Sequence, residues 1–124
     1  MKKLGLYIHI PFCVKKCNYC DFLSAPSSKQ VQIAYMDTLQ KEIEEKAIAY
    51  KDWCVDTIFI GGGTPTSVPY ETVVKMMDTV RAEFCLDKDC EITIECNPGT
   101  VTSEALKAYR VAGINRLSIG LQSA

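Results

Sequence analysis

Four short strand-like runs, each separated from the next by one amphipathic helical segment, constrain this chain more than any other feature of its sequence. Leu4, Leu6, Ile8 and Ile10 alternate with Gly5, Tyr7 and His9, the period-two pattern of a strand, and Pro11 ends it. A soft stretch from Ser24 to Ser28 offers N-cap residues. Ile33, Met36, Leu39, Ile43 and Ala47 then recur at steps of three and four, predicting a helix that ends near Lys51. Thr57 to Ile60 reads as a second strand, and Ser67 and Pro69 open a second helix with a buried stripe of Val73, Met77, Val80 and Phe84. Glu91 to Cys96 is the third strand, stopped by Asn97-Pro98-Gly99. Thr102 caps a short third helix carrying Leu106 and Tyr109, Gly113 closes it, and Asn115 to Leu121 is the fourth strand. The order βαβαβαβ with short connections predicts an α/β fold of parallel βα repeats with right-handed crossovers. Parallel sheets are covered on both faces, so a pattern closing on a strand is expected to be the first half of a larger α/β domain.

The two faces of the strands differ. Ile92, Ile94 and Cys96 oppose Thr93 and Glu95; Leu117, Ile119 and Leu121 oppose Arg116, Ser118, Gly120 and Gln122; in the first strand the aliphatics oppose Tyr7 and His9. Helices cover the aliphatic faces, which leaves the polar faces to line an interior. In βα folds functional groups gather at the C-terminal ends of strands. Here a cysteine loop, a glycine strip, Glu95 and Gln122 end strands one to four in turn.

The chain has 124 residues, 48% hydrophobic, with 14 basic and 15 acidic side chains and a net charge of −1. That balance offers no electrostatic case for a nucleic-acid or membrane partner, and no apolar run reaches the ~20 residues a bilayer span needs. Lys2 and Lys3 precede only Leu4 to Ile10, interrupted by His9, so no secretion signal is read and a cytoplasmic location is expected. Seven cysteines, an odd number, argue against a disulfide framework and for metal or redox chemistry.

Cys13, Cys17 and Cys20 crowd into one loop. Thiolates three and four apart can wrap one iron–sulfur cube, and three ligands leave the fourth iron with an open position. Such a position signals substrate chelation or catalysis. The spacing leaves open a structural zinc site that recruits His9 or Cys54 as fourth ligand. His9 otherwise reads as a hydrogen-bonded structural histidine, Cys96 as a small core residue, and Cys54, Cys85 and Cys90 as structural. Gly61-Gly62-Gly63-Thr64-Pro65 fits neither a P-loop nor a dinucleotide fingerprint, but it lets backbone approach a small ligand closely.

Taken in order, Tyr7-Ile-His-Ile-Pro-Phe-Cys13-x3-Cys17-x2-Cys20, Gly61-Gly-Gly-Thr-Pro-Thr66, Ile94-Glu-Cys-Asn-Pro98 and Arg116-Leu-Ser-Ile-Gly-Leu-Gln-Ser123 resemble the radical S-adenosylmethionine (SAM) superfamily. Within it they resemble the HemN/HemW group, the oxygen-independent coproporphyrinogen III oxidase-like proteins. The resemblance covers essentially the whole chain. It implies a partial (β/α)6 TIM-like barrel, of which residues 1–124 are the N-terminal portion of the radical SAM core domain. It also implies a [4Fe–4S] cluster held by Cys13, Cys17 and Cys20, with SAM chelating the open iron. Tyr19 would lie near the adenine and Tyr7 would support the cluster end. Gly62, Gly63 and Thr64 would meet the methionyl end, and Glu95 and Gln122 would hydrogen-bond SAM. The implied chemistry is reductive cleavage of SAM to methionine and a 5′-deoxyadenosyl radical, with an acidic flavodoxin or ferredoxin as reductant. Lys15 and Lys16 on the cluster loop are candidates to meet that donor, beside the plainer reading of a solvated pair. Arg116 is expected to pair with Glu95 or a SAM carboxylate.

Coproporphyrinogen dehydrogenases resemble C-x3-C-x2-C-x-C, whereas this chain continues Cys20-Asp21-Phe22. The C-x3-C-x2-C-x-F form is similar to the HemW branch, which binds haem and delivers it to haem proteins. Haem or a porphyrin is therefore the implied cargo or substrate. The alternatives are porphyrinogen oxidation, a haem-processing relative, and a zinc module without redox chemistry. A half barrel exposes sheet edges, so oligomerisation through the first or fourth strand is expected.

Overall fold

Parallel pairing in chain order sets the architecture. The computed structural model describes residues 2–12, 28–99 and 101–119. Strands β1 (Lys2–Ile10), β2 (Trp53–Gly62), β3 (Cys85–Cys96) and β4 (Arg116–Ile119) form one sheet in the order β1-β2-β3-β4, each pair parallel. Helices α1 (Lys29–Ala49), α2 (Tyr70–Glu83) and α3 (Ser103–Val111) alternate with them, and a 3-10 turn, Pro65–Ser67, precedes α2. Ile8, Ile10, Ile58, Ile60, Ile92 and Ile94 share one core with Met36, Ile43, Val73, Met77, Val80, Ala105 and Tyr109. All three helices therefore pack on the same face of the sheet. Sequential strand order with helices on one side is the topology of a βα-barrel wall; a doubly wound sheet reverses its order and carries helices on both sides.

The helices start where the sequence offers caps. Ser28 Oγ accepts from Val31 N–H at α1, and Thr102 Oγ1 accepts from Ala105 N–H at α3. Each cap satisfies an amide with no intrahelical partner, a contribution of about 1 kcal/mol. α2 starts at Tyr70 because Ser67 and Pro69, read as its opening, belong to the 3-10 turn and the N-cap. α1 ends at Ala49, short of Lys51. The stripe of α3 is Ala105 and Tyr109, and Leu106 lies on the exposed side.

The strands outrun their sequence signals. β2 begins at Trp53 and β3 at Cys85, six residues before Glu91. The polar Asp87-Lys88-Asp89 stretch hides this in the sequence: the β2–β3 ladder passes from Val55–Leu86 straight to Thr57–Glu91, leaving residues 87–90 as an excursion. Asn115 repairs the break. Its side chain accepts from Ile92 N–H (2.9 Å) and donates to Cys90 C=O (3.0 Å), while its own N–H bonds Ile92 C=O. On the helix-bearing side of β4, Leu117 and Ile119 are 44% and 54% exposed, the apolar edge expected there. Gly113, at φ 103°, follows the α3 C-cap as expected.

Two stability outcomes follow from these contacts. Asn115→Ala leaves an inner-strand N–H and C=O without partners and is expected to lower the unfolding free energy by about 1–3 kcal/mol in urea titrations. Asn115→Asp keeps the acceptor and is expected to lose less. Tyr109 is 1% exposed, and among the described residues nothing hydrogen-bonds its hydroxyl. Burial, with Cys96 nearby, pushes this phenol up to about 12. The folded chain thus holds the proton more tightly than the unfolded chain, whose phenol titrates near its ordinary value of about 10. Its contribution is complete below pH 10 and is lost as pH rises from 10 towards 12. Tyr109→Phe is expected to gain about 1 kcal/mol near neutrality and to abolish that alkaline loss. The separate loss from Cys90, whose buried thiol is pushed up to about 11, remains in that variant.

Candidate functional site

The face of the sheet that carries no helix is organised in two rows. Tyr7, Phe59, Thr93 and Arg116 sit opposite one another across β1 to β4. One step nearer the C-terminal rim, His9 pairs with Gly61, which lies beside Glu95, itself opposite Ser118. The inner row is aromatic on its β1 side, where Tyr7 stacks on Phe59 with ring centroids 6.0 Å apart and planes 12° apart. The rim row is polar and short. Tyr7 Oη lies 3.3 Å from His9 Nδ1, which ties the two rows together.

At the rim, the end of β1 is clamped. Gly63 N–H donates to Ile10 C=O (2.9 Å) and Thr64 N–H to Phe12 C=O (2.6 Å), so parallel pairing continues past the last residue of β1. Tyr35 of α1 donates its hydroxyl to His9 C=O and meets Phe12 edge-on at 5.3 Å. Ser67 Oγ adds a longer bond to Phe12 C=O, and Phe12 itself is buried. The chain is thus held up to the residue immediately before Cys13.

The glycine strip is read by close approach. Gly62 adopts φ 121°, a conformation that side chains rarely tolerate. A Cβ there would stand 2.6 Å from His9 Nδ1. A Cβ on Gly61 would stand 2.3 Å from Glu95 Oε1, because Glu95 reaches across β2 to accept from Gly62 N–H at 2.8 Å. The amides of Gly62, Gly63 and Thr64 are therefore all engaged by the protein. Of the backbone that the glycine strip brings close to a ligand, these three amides are not available. Thr66, buried after the strip, accepts from Asn97 N–H and joins the ends of β2 and β3.

Of the residues singled out in the sequence, Tyr7, Gly62, Gly63, Thr64 and Glu95 meet at this rim or on the face below it. Cys13, Cys17, Tyr19, Cys20 and Gln122 lie outside the described residues, as do Lys15, Lys16 and Phe22. Arg116 does not pair with Glu95: its guanidinium bonds Glu91 at 2.5 Å, because Arg116 sits in the inner row and Glu95 in the rim row. Cys54 is paired in register with Lys3, at the opposite end of the sheet from His9 and Gly61. It therefore stands seven positions along β2 from Gly61, roughly 20 Å from the rim. Phe12, Tyr35 and Ser67 were not picked out as site residues. Their role depends on contacts between distant segments, and only the position of Phe12 before Cys13 signalled it.

Residues 7–124 match the profile of the radical SAM superfamily. The chain belongs to that superfamily. It is 45% identical over 121 residues to the heme chaperone HemW of Escherichia coli (strain K12), covering 97% of this chain and 32% of the relative. Against HemW of Bacillus subtilis (strain 168) the identity is 40%, covering 94% of this chain and 31% of the relative. Among solved structures it resembles the radical SAM enzyme coproporphyrinogen III oxidase (HemN) of Escherichia coli. That match has a TM-score of 0.86 and 35% identity, covering 98% of this chain and 28% of that one. The chain thus spans about a third of the length of the curated relatives it matches. The TIM-like radical SAM fold expected from the sequence is the fold observed, and the family as a whole implies a [4Fe–4S] cluster and SAM.

The chemistry at the rim is compatible with those groups. Gly61 and Gly62 let a carboxylate and an imidazole close directly on the backbone, where a Cβ would strike Glu95, Phe59 or His9, beside the strand end that leads to Cys13. No cluster of three His, Cys, Asp or Glu that could hold a metal ion is present among the described residues. The Glu95–Gly62 bond gives a direct test. Glu95→Gln retains an acceptor and is expected to stay within about 0.5 kcal/mol of the parent. Glu95→Ala is expected to cost about 1 kcal/mol in urea unfolding and to speed hydrogen exchange at the Gly62 amide. Gly62→Ala, forced into a positive φ against His9, is expected to cost about 1–3 kcal/mol.

Proposed function

We propose that this chain is the cluster- and SAM-binding part of a haem-handling radical SAM protein, a HemW-like haem chaperone. The observation that carries this reading is its 34–45% identity to seven relatives named heme chaperone HemW, each aligned over 94–97% of this chain. The Cys20-Asp21-Phe22 sequence supports the same branch. Cys13, Cys17 and Cys20 would ligate three irons, Tyr19 would lie near the adenine, and Gln122 and Glu95 would hydrogen-bond SAM. When bound, the cluster and SAM supply one-electron reductive chemistry.

The residues of this chain would bind and orient. The clamp on Ile10 and Phe12 fixes where the cysteine loop leaves the sheet. Because the strip amides are spent and His9, Glu95 and the end of β1 lie against the glycines, Gly62, Gly63 and Thr64 would meet a ligand through carbonyl oxygens. Glu95, held by the Gly62 amide, keeps its carboxylate over the glycine surface with little freedom left to lose on binding. Tyr7 stacked on Phe59 forms an apolar floor under the rim. Haem or a porphyrin would be the cargo, an acidic flavodoxin- or ferredoxin-type protein the reductant, and the compartment cytoplasmic. No helix of the described residues is long and apolar enough to cross a membrane. Oligomerisation would run through the exposed edges of β1 or β4.

A second reading, oxidative decarboxylation of coproporphyrinogen III, is favoured by the 0.86 TM-score to the oxidase of that name. Phe22, where a further cysteine stands in the oxidase pattern, speaks for the chaperone. Anaerobic reconstitution of the full-length protein with iron and sulfide, followed by EPR of the reduced form, tests both. A reduced-cluster signal that changes on adding SAM is expected, together with haem binding and no consumption of coproporphyrinogen III. Cys17→Ala is expected to lose the iron. Glu95→Ala is expected to keep it and to weaken SAM binding about 10-fold, the loss of roughly one hydrogen bond to a charged group. Zinc in place of iron, with no response to SAM, would sink the proposal; porphyrinogen turnover would move it to the second reading.

A further inference from the structure

The end of the sheet away from the polar rim holds a pair of thiols. Cys54 and Cys85 are register partners on β2 and β3, and their Sγ atoms lie 3.3 Å apart, sharing a hydrogen bond. Cys54 is 7% exposed, whereas Cys85 is open to solvent. We propose that Cys54 and Cys85 form a dithiol–disulfide site, a covalent modification site separate from the cluster cysteines.

The backbone already suits the bond. Neighbouring strands stand about 4.8 Å apart, within the roughly 4.4–6.8 Å between Cα atoms that a disulfide spans. The sulfurs need to close by about 1 Å to reach the bonded distance of about 2.05 Å. Such a shift is within reach of χ1 adjustments at the first residue of β3 and the second of β2.

The co-reactant is a low-molecular-weight disulfide. The Cys85 thiolate attacks one of its sulfurs and expels a thiolate, leaving a mixed disulfide on Cys85. The Cys54 thiolate then attacks Cys85 Sγ and expels the second thiolate. Two protein thiols lose two electrons and two protons, and the oxidant becomes two small thiols. The order follows from access. Cys85 meets solvent, whereas Cys54 is buried, and its shared hydrogen bond with Cys85 and that burial push its thiol up. Lys3, opposite Cys54 in register and paired with Asp87, pulls the Cys54 thiol the other way, but more weakly than those two causes. Cys54 therefore suits the role of the resolving thiol, which reacts once a mixed disulfide lies within contact. The bridge closes residues 54–85, a loop containing the glycine strip, the 3-10 turn and α2.

Titrating the reduced full-length protein with glutathione disulfide under argon, then alkylating and mapping peptides by mass spectrometry, tests the site. The expected product is a Cys54–Cys85 linked peptide lacking two hydrogens, formed ahead of any adduct at Cys90 or Cys96 and reversed by dithiothreitol. Cys54→Ser is expected to stop at a glutathione adduct on Cys85. Cys85→Ser, a substitution at an exposed position, is expected to leave Cys54 reduced. Accumulation of the Cys85 adduct in the parent protein while Cys54 remains alkylatable would overturn the proposal, as would full alkylation of both thiols after the titration.

Discussion

Two backbone hydrogen bonds, Gly63 N–H to Ile10 C=O and Thr64 N–H to Phe12 C=O, hold the rest of the candidate site in place. They extend the β1–β2 ladder beyond the last residues of both strands, one of them through the amide of a glycine that no side chain could replace without striking Phe12. Glycines at this place are often taken as a cradle for a ligand. Here they first serve the protein: they bring the exit of β1, the carboxylate of Glu95 and the imidazole of His9 to one patch of backbone. At that patch the amides of Gly62, Gly63 and Thr64 are already committed, so a ligand seated there would have to be met by other groups.

Much of this was legible in the sequence. Alternation in residues 4–10 and 92–96 gave the two faces correctly, because a period of two leaves no freedom once one face is aliphatic. Ser28, Thr102 and Gly113 marked helix ends through chemistry that acts within a few residues. What escaped the sequence was non-local. The first part of β3 is too polar at residues 87–89 to read as strand, and it is strand because Cys54 and Val55 pair with Cys85 and Leu86. The partner of Arg116 was misassigned by one row, since face alone does not fix which of two carboxylates a long side chain reaches. Tyr35, on a helix, reaches a strand carbonyl through a contact that no spacing rule contains.

The sheet has two ends with different chemistry. The C-terminal rim gathers His9, the glycine strip and Glu95, as βα architectures generally do. The N-terminal end carries Lys3 with Asp87, and Cys54 with Cys85. Four of the seven cysteines lie within the described residues, and burial raises the thiols of Cys90 and Cys96 as well.

Asp56 lies where both ladders of β2 slip: pairing jumps from Leu4–Val55 to Gly5–Thr57 on one side and from Val55–Leu86 to Thr57–Glu91 on the other. Irregularities of this kind sharpen the local twist and bend the strand that carries them. One is carried by β2, with Asp56 as the extra residue, and the other mainly by β3, with residues 87–90 as the excursion. The twist of the sheet at this level is thereby written into the main chain, and the side chains of the helix-free face could be exchanged without unmaking it.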